Sequence, residues 1–185
     1  KGTHGRAIAF ATGIKLYRPE LTVVVMAGDG DTLAIGGNHF IHAARRNVDI
    51  KVILFNNQIY GMTGGQVSPT TPAGARASTA PDGYNERAFD ACKLAEAAGA
   101  SFVARATSYH VQLLSKVVRD AMLHKGFALI EVRTQCPQQY GRWNKSGDAF
   151  DMLMWQKENA VRVEQAAKMS PEELDNKFVI GELVK

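Results

Sequence analysis

The sequence has little cysteine, which limits how the chain can be stabilised. Only Cys92 and Cys136 occur among its 185 residues, too few for the disulfide framework of a small secreted domain. Nothing at the start resembles a secretory signal. We therefore expect a reducing compartment, the cytoplasm, and a core built from the apolar residues that make up 45% of the chain.

Long apolar runs and a strong charge imbalance are also missing. No stretch approaches the roughly 20 apolar residues that a membrane helix needs, so no membrane span is predicted. The 22 basic and 18 acidic residues leave a formal charge of +4, and the basic residues are scattered rather than gathered in a run. Nucleic acid is therefore not an expected partner.

What the sequence does contain is an alternation of strand-like and helix-like segments. Four β-branched apolar runs are near-continuous, which is typical of strands buried on both faces. These runs begin at Thr22, Lys51, Ser101 and Phe127. Helical spacing predicts one helix after Asp31, one from about Asn85 to Gly99 and one from about Ser108 to His124. The alternation predicts an α/β fold with a doubly wound, mostly parallel sheet.

The chain divides into a domain and a tail. We expect residues 1–150 to form the α/β domain, and residues 151–185 to form a helical tail that packs on the domain or on a partner. Within the domain, residues 63–83 hold almost no large apolar side chains. Structureless loops longer than about 12–15 residues are usually functional or disordered, so we expect a ligand to order this loop.

Two polar segments follow the first two strand-like runs: GDG at residues 28–30 and NNQ at residues 56–58. In a doubly wound sheet, ligands bind beyond the carboxyl ends of the strands, where both segments should lie. Glycine allows close approach of the backbone, and the N-terminus of the following helix, capped by Asp31, favours phosphate. Asp29 would repel a bare phosphate, so we expect Mg²⁺ between them, with amide oxygens completing its shell.

The spacing of these segments, with 25 residues between GDG and NN, resembles the cofactor motif of thiamine-diphosphate enzymes. The resemblance implies that Asp29, the Asn57 side chain and the backbone oxygen of Ile59 hold Mg²⁺. The residues that it implies for the cofactor site as a whole are His4, Gly5, Gly28, Asp29, Gly30, Asp31, Asn57, Ile59, Tyr60, Gly61, Met62 and Thr63.

Four longer stretches, HGRA, GGNHFIHAARRN, NNQIYGMTGGQVSPTTP and CPQQYGRWN, resemble the β subunit of 2-oxoacid:ferredoxin oxidoreductases, most of all the 2-oxoglutarate type. The resemblance covers most of residues 3–160. It implies oxidative decarboxylation of a 2-oxoacid with coenzyme A, which yields acyl-CoA, CO₂ and reduced ferredoxin. It also implies an α subunit as partner, which supplies the glutamate that activates the cofactor.

The same resemblance implies a [4Fe-4S] cluster with Cys136 as one ligand. In the family, the other ligands lie in an N-terminal stretch that this sequence lacks. Two other functions stay open. A non-redox thiamine-diphosphate decarboxylase or synthase shares GDG and the asparagine pair, and a non-catalytic α/β module could bind a nucleotide through Asp29 and the helix N-terminus.

Overall fold

A sheet of six strands runs through residues 2–185, the part of the chain that this computed structural model describes. The strands, in chain order, are β1 (Val23–Gly28), β2 (Ile50–Asn56), β3 (Phe102–Thr107), β4 (Ala128–Arg133), β5 (Ala160–Arg162) and β6 (Phe178–Val184). Their order in the sheet is β1-β2-β4-β3-β6-β5. The first four are parallel to one another, which confirms the expected mostly parallel sheet.

Helices connect the strands and cover both faces of the sheet. They are α1 (Ala7–Tyr17), α2 (Gly37–Arg45), α3 (Ala91–Ala97), α4 (Val111–Leu123), α5 (Arg142–Asn144), α6 (Ala149–Asn159) and α7 (Val163–Ala166), with π-helical turns at Gly30–Ile35 and Pro137–Gly141. One core joins α1, α2 and α3 to the sheet, and the other joins α4 to its opposite face. None of the described helices is long and apolar enough to cross a membrane.

Strand β1 is less buried than its sequence predicts. Its near-continuous apolar run indicates two buried faces, but Val24 and Met26 are 40% and 66% exposed. The reason is its position at the edge of the described sheet, where α1 packs against one face only. The expected burial of the other three strands is confirmed for β3 and β4, which lie inside the sheet.

Two helices differ from their predicted extent or orientation. Helix α3 begins at Ala91 rather than near Asn85, because the Phe89 N–H donates to the Pro69 carbonyl (2.7 Å) and the Asp90 carboxylate caps the helix. Helix α4 has a wide apolar stripe, and periodicity alone does not locate its centre. Helical spacing favours Val111, Leu114, Val118 and Met122 as the inward positions. The buried residues are instead Leu113, Val117 and Ala121.

The prediction of a helical tail after residue 150 is wrong in its last part. Strand β6 pairs antiparallel with β3, and β5 pairs with β6. Phe178 and Ile180 are buried at 7% and 1% exposure, because alternate residues of an antiparallel strand face the core. The tail therefore extends the sheet, while the division of the chain at residue 150 stays a prediction.

Strand register brings the polar segments to one edge. Gly28 lies beside Phe55, and Asn56 lies beside Arg133 on β4. Parallel strands end at the same edge of a sheet, so the segments after β1, β2 and β4 meet there.

Candidate functional site

Asp29 is the buried centre of this edge, with 2% of its surface exposed. Its Oδ2 accepts hydrogen bonds from the hydroxyls of Ser68 and Thr70, the latter at 2.6 Å. Burial raises the pKa of Asp29, although these hydroxyls oppose the rise. No lysine or arginine in residues 2–185 pairs with it. A carboxylate in such surroundings is costly unless a cation joins it.

The loop after β2 supplies these hydroxyls. Ser68, Thr70 and Thr71 are buried, at 2%, 3% and 0% exposure. The Thr71 hydroxyl donates to the Gln58 carbonyl (2.7 Å), and the Thr70 Oγ1 lies 2.9 Å from the Asn56 Oδ1. Sequence reasoning did not assign Ser68 or Thr70 to the site. Their signal was the hydroxyl-rich stretch SPTT within a loop already marked as functional.

Two of the three predicted metal ligands, Asn57 and Ile59, lie at the turn that leaves β2. The Asn57 Oδ1 accepts the Ile59 N–H at 3.2 Å, and Gln58 between them has a left-handed φ of 64°. Asn57 follows Asn56 at the end of β2. The Thr70 hydroxyl lies within hydrogen-bonding distance of both the Asn56 Oδ1 and the Asp29 Oδ2. The amide and carboxylate oxygens of the proposed shell are therefore grouped at one edge of the sheet.

Asp31 does not cap the helix that follows it, so that prediction is wrong. Its Oδ1 instead accepts the Gly5 N–H (2.5 Å) and lies 2.7 Å from the His4 Nδ1. Asp31 lies inside the π-helical turn Gly30–Ile35 rather than ahead of it. Its side chain is thus free to hold the segment before α1, which brings His4 and Gly5 to the site.

Gly30 is required by packing, not by a special backbone conformation. A Cβ on Gly30 would lie 2.3 Å from the Tyr60 ring, whose hydroxyl donates to the Gly30 carbonyl at 3.0 Å. A Cβ on Gly28 would meet only the Phe55 carbonyl oxygen, at 4.0 Å. Neither glycine has a positive φ. Gly28 therefore leaves open space beside Asp29.

The remaining predicted residues lie along the same loop. A Cβ on Gly61 would be 3.2 Å from the Cys136 Sγ, so the two residues are in contact. Met62 is 98% exposed. Thr63 is turned to Gln66, to which its hydroxyl donates at 2.7 Å. The structure thus places Cys136 beside Gly61, one of the residues predicted for the cofactor site.

A buried ionic cluster lies behind the site and was missed by sequence reasoning. The Arg105 Nε donates to Glu131 (2.5 Å), and its Nη2 donates to Asp90 (2.5 Å). Burial opposes ionisation of Glu131, but the charges of Arg105 and Arg133, with hydrogen bonds from Arg105 and Asn56, together outweigh it and lower the pKa of Glu131 to about 2. The available sequence signal was a single charged residue inside each of two apolar runs. These residues, Arg105 and Glu131, have opposite charges and lie opposite each other on the neighbouring strands β3 and β4.

Cys92 belongs to this cluster and not to a ligand site. It is 3% exposed, and its thiol lies 3.2 Å from the Glu131 Oε2. Burial, and after it the charge of Glu131, raise the pKa of the thiol well above its usual range. A thiol held neutral in this way is a poor metal ligand.

Comparison with known proteins agrees with this geometry. The family model of the thiamine pyrophosphate enzyme C-terminal TPP-binding domain matches residues 1–132. The 2-oxoglutarate synthase subunit KorB of Methanocaldococcus jannaschii is 57% identical over 182 residues, or 98% of this chain and 67% of that protein. The KorB subunit of Methanothermobacter marburgensis is 52% identical over 97% of this chain and 63% of its own length. The chain thus spans about two thirds of the length of these relatives.

Two solved structures are similar in fold. One is 2-oxoglutarate:ferredoxin oxidoreductase from Magnetococcus marinus with 2-oxoglutarate, coenzyme A and succinyl-CoA bound. It matches with a TM-score of 0.85 and 33% identity, over 98% of this chain and 62% of that chain. The thiamine-diphosphate-dependent 4-hydroxybenzoylformate decarboxylase of Rhodococcus jostii RHA1 matches at 0.51 and 22% identity, over 71% of this chain and 23% of that one, which shows the fold alone.

Proposed function

Because the chain belongs to the thiamine pyrophosphate enzymes, and within them to the β subunits of 2-oxoacid oxidoreductases, we propose that it is the cofactor-binding part of a 2-oxoacid:ferredoxin oxidoreductase. The proposed reaction is the oxidative decarboxylation of 2-oxoglutarate with coenzyme A to acyl-CoA, CO₂ and reduced ferredoxin. The nucleotide-binding module and the non-redox enzyme have no observation that favours them.

The observation that carries the proposal is the buried Asp29 carboxylate without a cationic side chain beside it. Its surroundings are hard oxygen donors, which are the ligands that Mg²⁺ prefers. Asp29, the Asn57 side chain and the Ile59 carbonyl would hold the ion, and the hydroxyls of Ser68 and Thr70 orient the carboxylate. The donor set therefore fits Mg²⁺.

We expect the diphosphate to lie beside Asp29, where Gly28 has no side chain. A Cβ on Gly28 would meet only the Phe55 carbonyl oxygen, at 4.0 Å, so the backbone there is open to a ligand. His4, held by Asp31, and Tyr60, held against Gly30, form a wall with ring centroids 6.0 Å apart. Thiamine diphosphate, when bound, would act as the electron sink for decarboxylation. The protein residues bind and orient it, and the activating glutamate is expected from the α subunit.

The described residues do not complete an iron–sulfur cluster. An all-cysteine [4Fe-4S] cluster needs four thiolates. Cys92 is buried in the ionic cluster, so only the half-buried Cys136, beside Gly61, is available in residues 2–185. We propose Cys136 as one ligand, with the other three outside this chain. Loss of iron from full-length protein carrying Cys136→Ser, with Cys92→Ser as control, tests that role.

Exposed apolar surface supports an α subunit as partner. Helix α1 exposes Phe10, Leu16 and Tyr17 at 58%, 74% and 83%, and Met26 on β1 is also exposed. Phe10 and Tyr17 line one groove on α1 with Ala9, Gly13 and Ile14, and contiguous apolar surface is typical of protein interfaces. Ferredoxin as electron acceptor and a cytoplasmic location complete the proposal.

Ligand-dependent thermal unfolding tests the proposed function. We expect thiamine diphosphate with Mg²⁺ to raise the melting temperature, because a ligand that binds only the folded state stabilises it. Neither compound alone should do so to the same extent. A larger shift with ATP and Mg²⁺ would contradict the proposal and favour a nucleotide-binding module.

A further inference from the structure

A cavity of about 300 Å³ lies beside the candidate site, at the carboxyl ends of β2 and β4. Amides, hydroxyls and two aromatic rings line it together with one arginine, and these residues include Asn57, Gln135, Tyr140, Trp155 and Arg133. Pockets for small molecules begin at about this volume. The cavity therefore has the size for a small metabolite rather than for a peptide segment.

Arg133 gives this cavity a positive charge. It is the one charged residue among those that line the cavity, all of which lie in the described part of the chain. Glu131 is its neighbouring acid, but the Glu131 Oε1 lies 4.0 Å from the Arg133 Nε, and Glu131 already pairs with Arg105. Arg133 and Arg105 thus share the charge of Glu131, and the Arg133 Nε makes no hydrogen bond to it.

The Arg133 side chain is held in place, but one of its hydrogen-bond donors has no partner among the described residues. Its Cζ lies 4.6 Å from the centre of the Phe178 ring, a cation–π contact that fixes the guanidinium. Its Nε is buried and has no hydrogen-bond partner among residues 2–185, which is a costly state for a charged donor. The side chain keeps 23% of its surface exposed, so other atoms of it remain available at the cavity.

We propose that this cavity binds the carboxylate of a small organic acid and that Arg133 is the charged partner of that carboxylate. A planar guanidinium presents forked donors that match a carboxylate, and amide groups beside it add neutral donors. Asn57 belongs both to the cavity wall and to the candidate metal site. An acid in the cavity therefore lies next to the proposed cofactor.

The identity of the acid rests on the proposed function. A dicarboxylic 2-oxoacid carries a second carboxylate away from its reacting carbonyl, and this group is the one assigned to Arg133. The residue then determines specificity, since it favours dicarboxylic over monocarboxylic substrates without taking part in the chemistry. Its removal should affect one class of substrate only.

A kinetic comparison in the full-length enzyme, assembled with its partner subunits, tests the assignment. Arg133→Met should raise KM for 2-oxoglutarate about ten- to a hundredfold, the effect of one lost charge-assisted pair. KM for 2-oxobutyrate, which lacks the second carboxylate, should stay unchanged. Arg133→Lys should fall between, because lysine keeps the charge but loses the fork. The control is Arg142→Met, an exposed arginine nearby.

Calorimetry with succinate provides a measurement independent of activity. Succinate should bind the parent assembly, bind Arg133→Met at least tenfold more weakly, and bind Arg142→Met normally. Equal losses for 2-oxoglutarate and 2-oxobutyrate, unchanged succinate binding, or phosphate binding as tight as succinate would overturn the proposal. So would failure of Arg133→Met to assemble with the partner, because Arg133 would then serve a contact between chains. If the parent has no 2-oxoacid activity, the proposed function fails, and succinate binding still tests the cavity.

Discussion

Asn56 and Glu131 are joined across neighbouring strands by a buried hydrogen bond of 2.6 Å, from Nδ2 to Oε1. This bond fixes the orientation of the Asn56 amide, so that its Oδ1 faces Thr70, which in turn contacts Asp29. The ionic cluster behind the sheet is therefore connected by hydrogen bonds to the candidate metal site. The connection makes Glu131 a positioning residue for Asp29.

Glu131→Gln should strongly destabilise the protein. The substitution removes one partner of a buried ion pair and leaves Arg105 with Asp90 alone, which typically costs about 3–5 kcal/mol. The free energy of unfolding in urea measures this cost. Glu182→Gln is the matched control, because its pair with Lys116 is exposed and such pairs contribute about 0–1 kcal/mol. Similar losses in the two variants would show that the buried pair has no special role.

The same pair predicts an acid-labile contribution to stability. The pKa of Glu131 is lowered from 4.5 to about 2 in the folded protein, so the folded state favours the ionised form. Its contribution, roughly 3 kcal/mol at 1.36 kcal/mol per pKa unit, is present above pH 4.5 and is lost as pH falls through about 2. The stability difference between parent and Glu131→Gln should shrink over that window. A constant difference from pH 5 to pH 2 would contradict the assignment.

Gly30→Ala should destabilise the protein by about 1–3 kcal/mol, a typical cost of overpacking. The new Cβ would overlap the Tyr60 ring at 2.3 Å and displace the wall of the candidate site. Gly13→Ala is the control, since nothing lies within 4 Å of a Cβ there. Gly13 lies inside α1, so alanine should stabilise by about 0.5–1 kcal/mol. Thermal unfolding measures the stability of both variants. A Gly30→Ala variant as stable as the parent would show that packing does not require glycine at this position.

The loop at residues 63–83 should gain protection when the site is filled. Its attachment to Asp29 passes through Ser68 and Thr70, and binding at Asp29 should reduce local opening of the attached segment. Amide hydrogen exchange with and without thiamine diphosphate and Mg²⁺ measures this. Helix α4, on the opposite face of the sheet, serves as the internal control. Equal exchange of the loop in both states would exclude it from the site.

Much of the fold was predictable because its signals are local. The four parallel strands follow from β-branched apolar runs, and their shared carboxyl edge follows from strand–helix alternation. The error at β1 has a different origin, since an apolar run indicates burial but not which element covers it. Strand β6 was missed because its partner β3 is 70 or more residues away in sequence, and such pairing leaves no periodic signal.

The candidate site was predictable only in part for a similar reason. The segments at residues 28–30 and 56–58 follow predicted parallel strands. Their proximity was therefore predictable, because parallel strands end at the same edge of a sheet. Ser68 and Thr70 reach Asp29 from an irregular loop, whose path no local pattern specifies. Arg105 and Glu131 are paired by the register of β3 against β4, and this register could not be predicted from the sequence.

The central claim is that Asp29 binds a metal ion that holds thiamine diphosphate. The most direct measurement is calorimetric titration of Asp29→Asn with thiamine diphosphate at saturating Mg²⁺, alongside thermal unfolding of the same variant. Removing a buried, unpaired charge should leave stability equal or higher, so weak binding could not be ascribed to unfolding. We expect a stable variant with no Mg²⁺-dependent binding. A variant that binds the cofactor as tightly as the parent, with the same dependence on Mg²⁺, would contradict it.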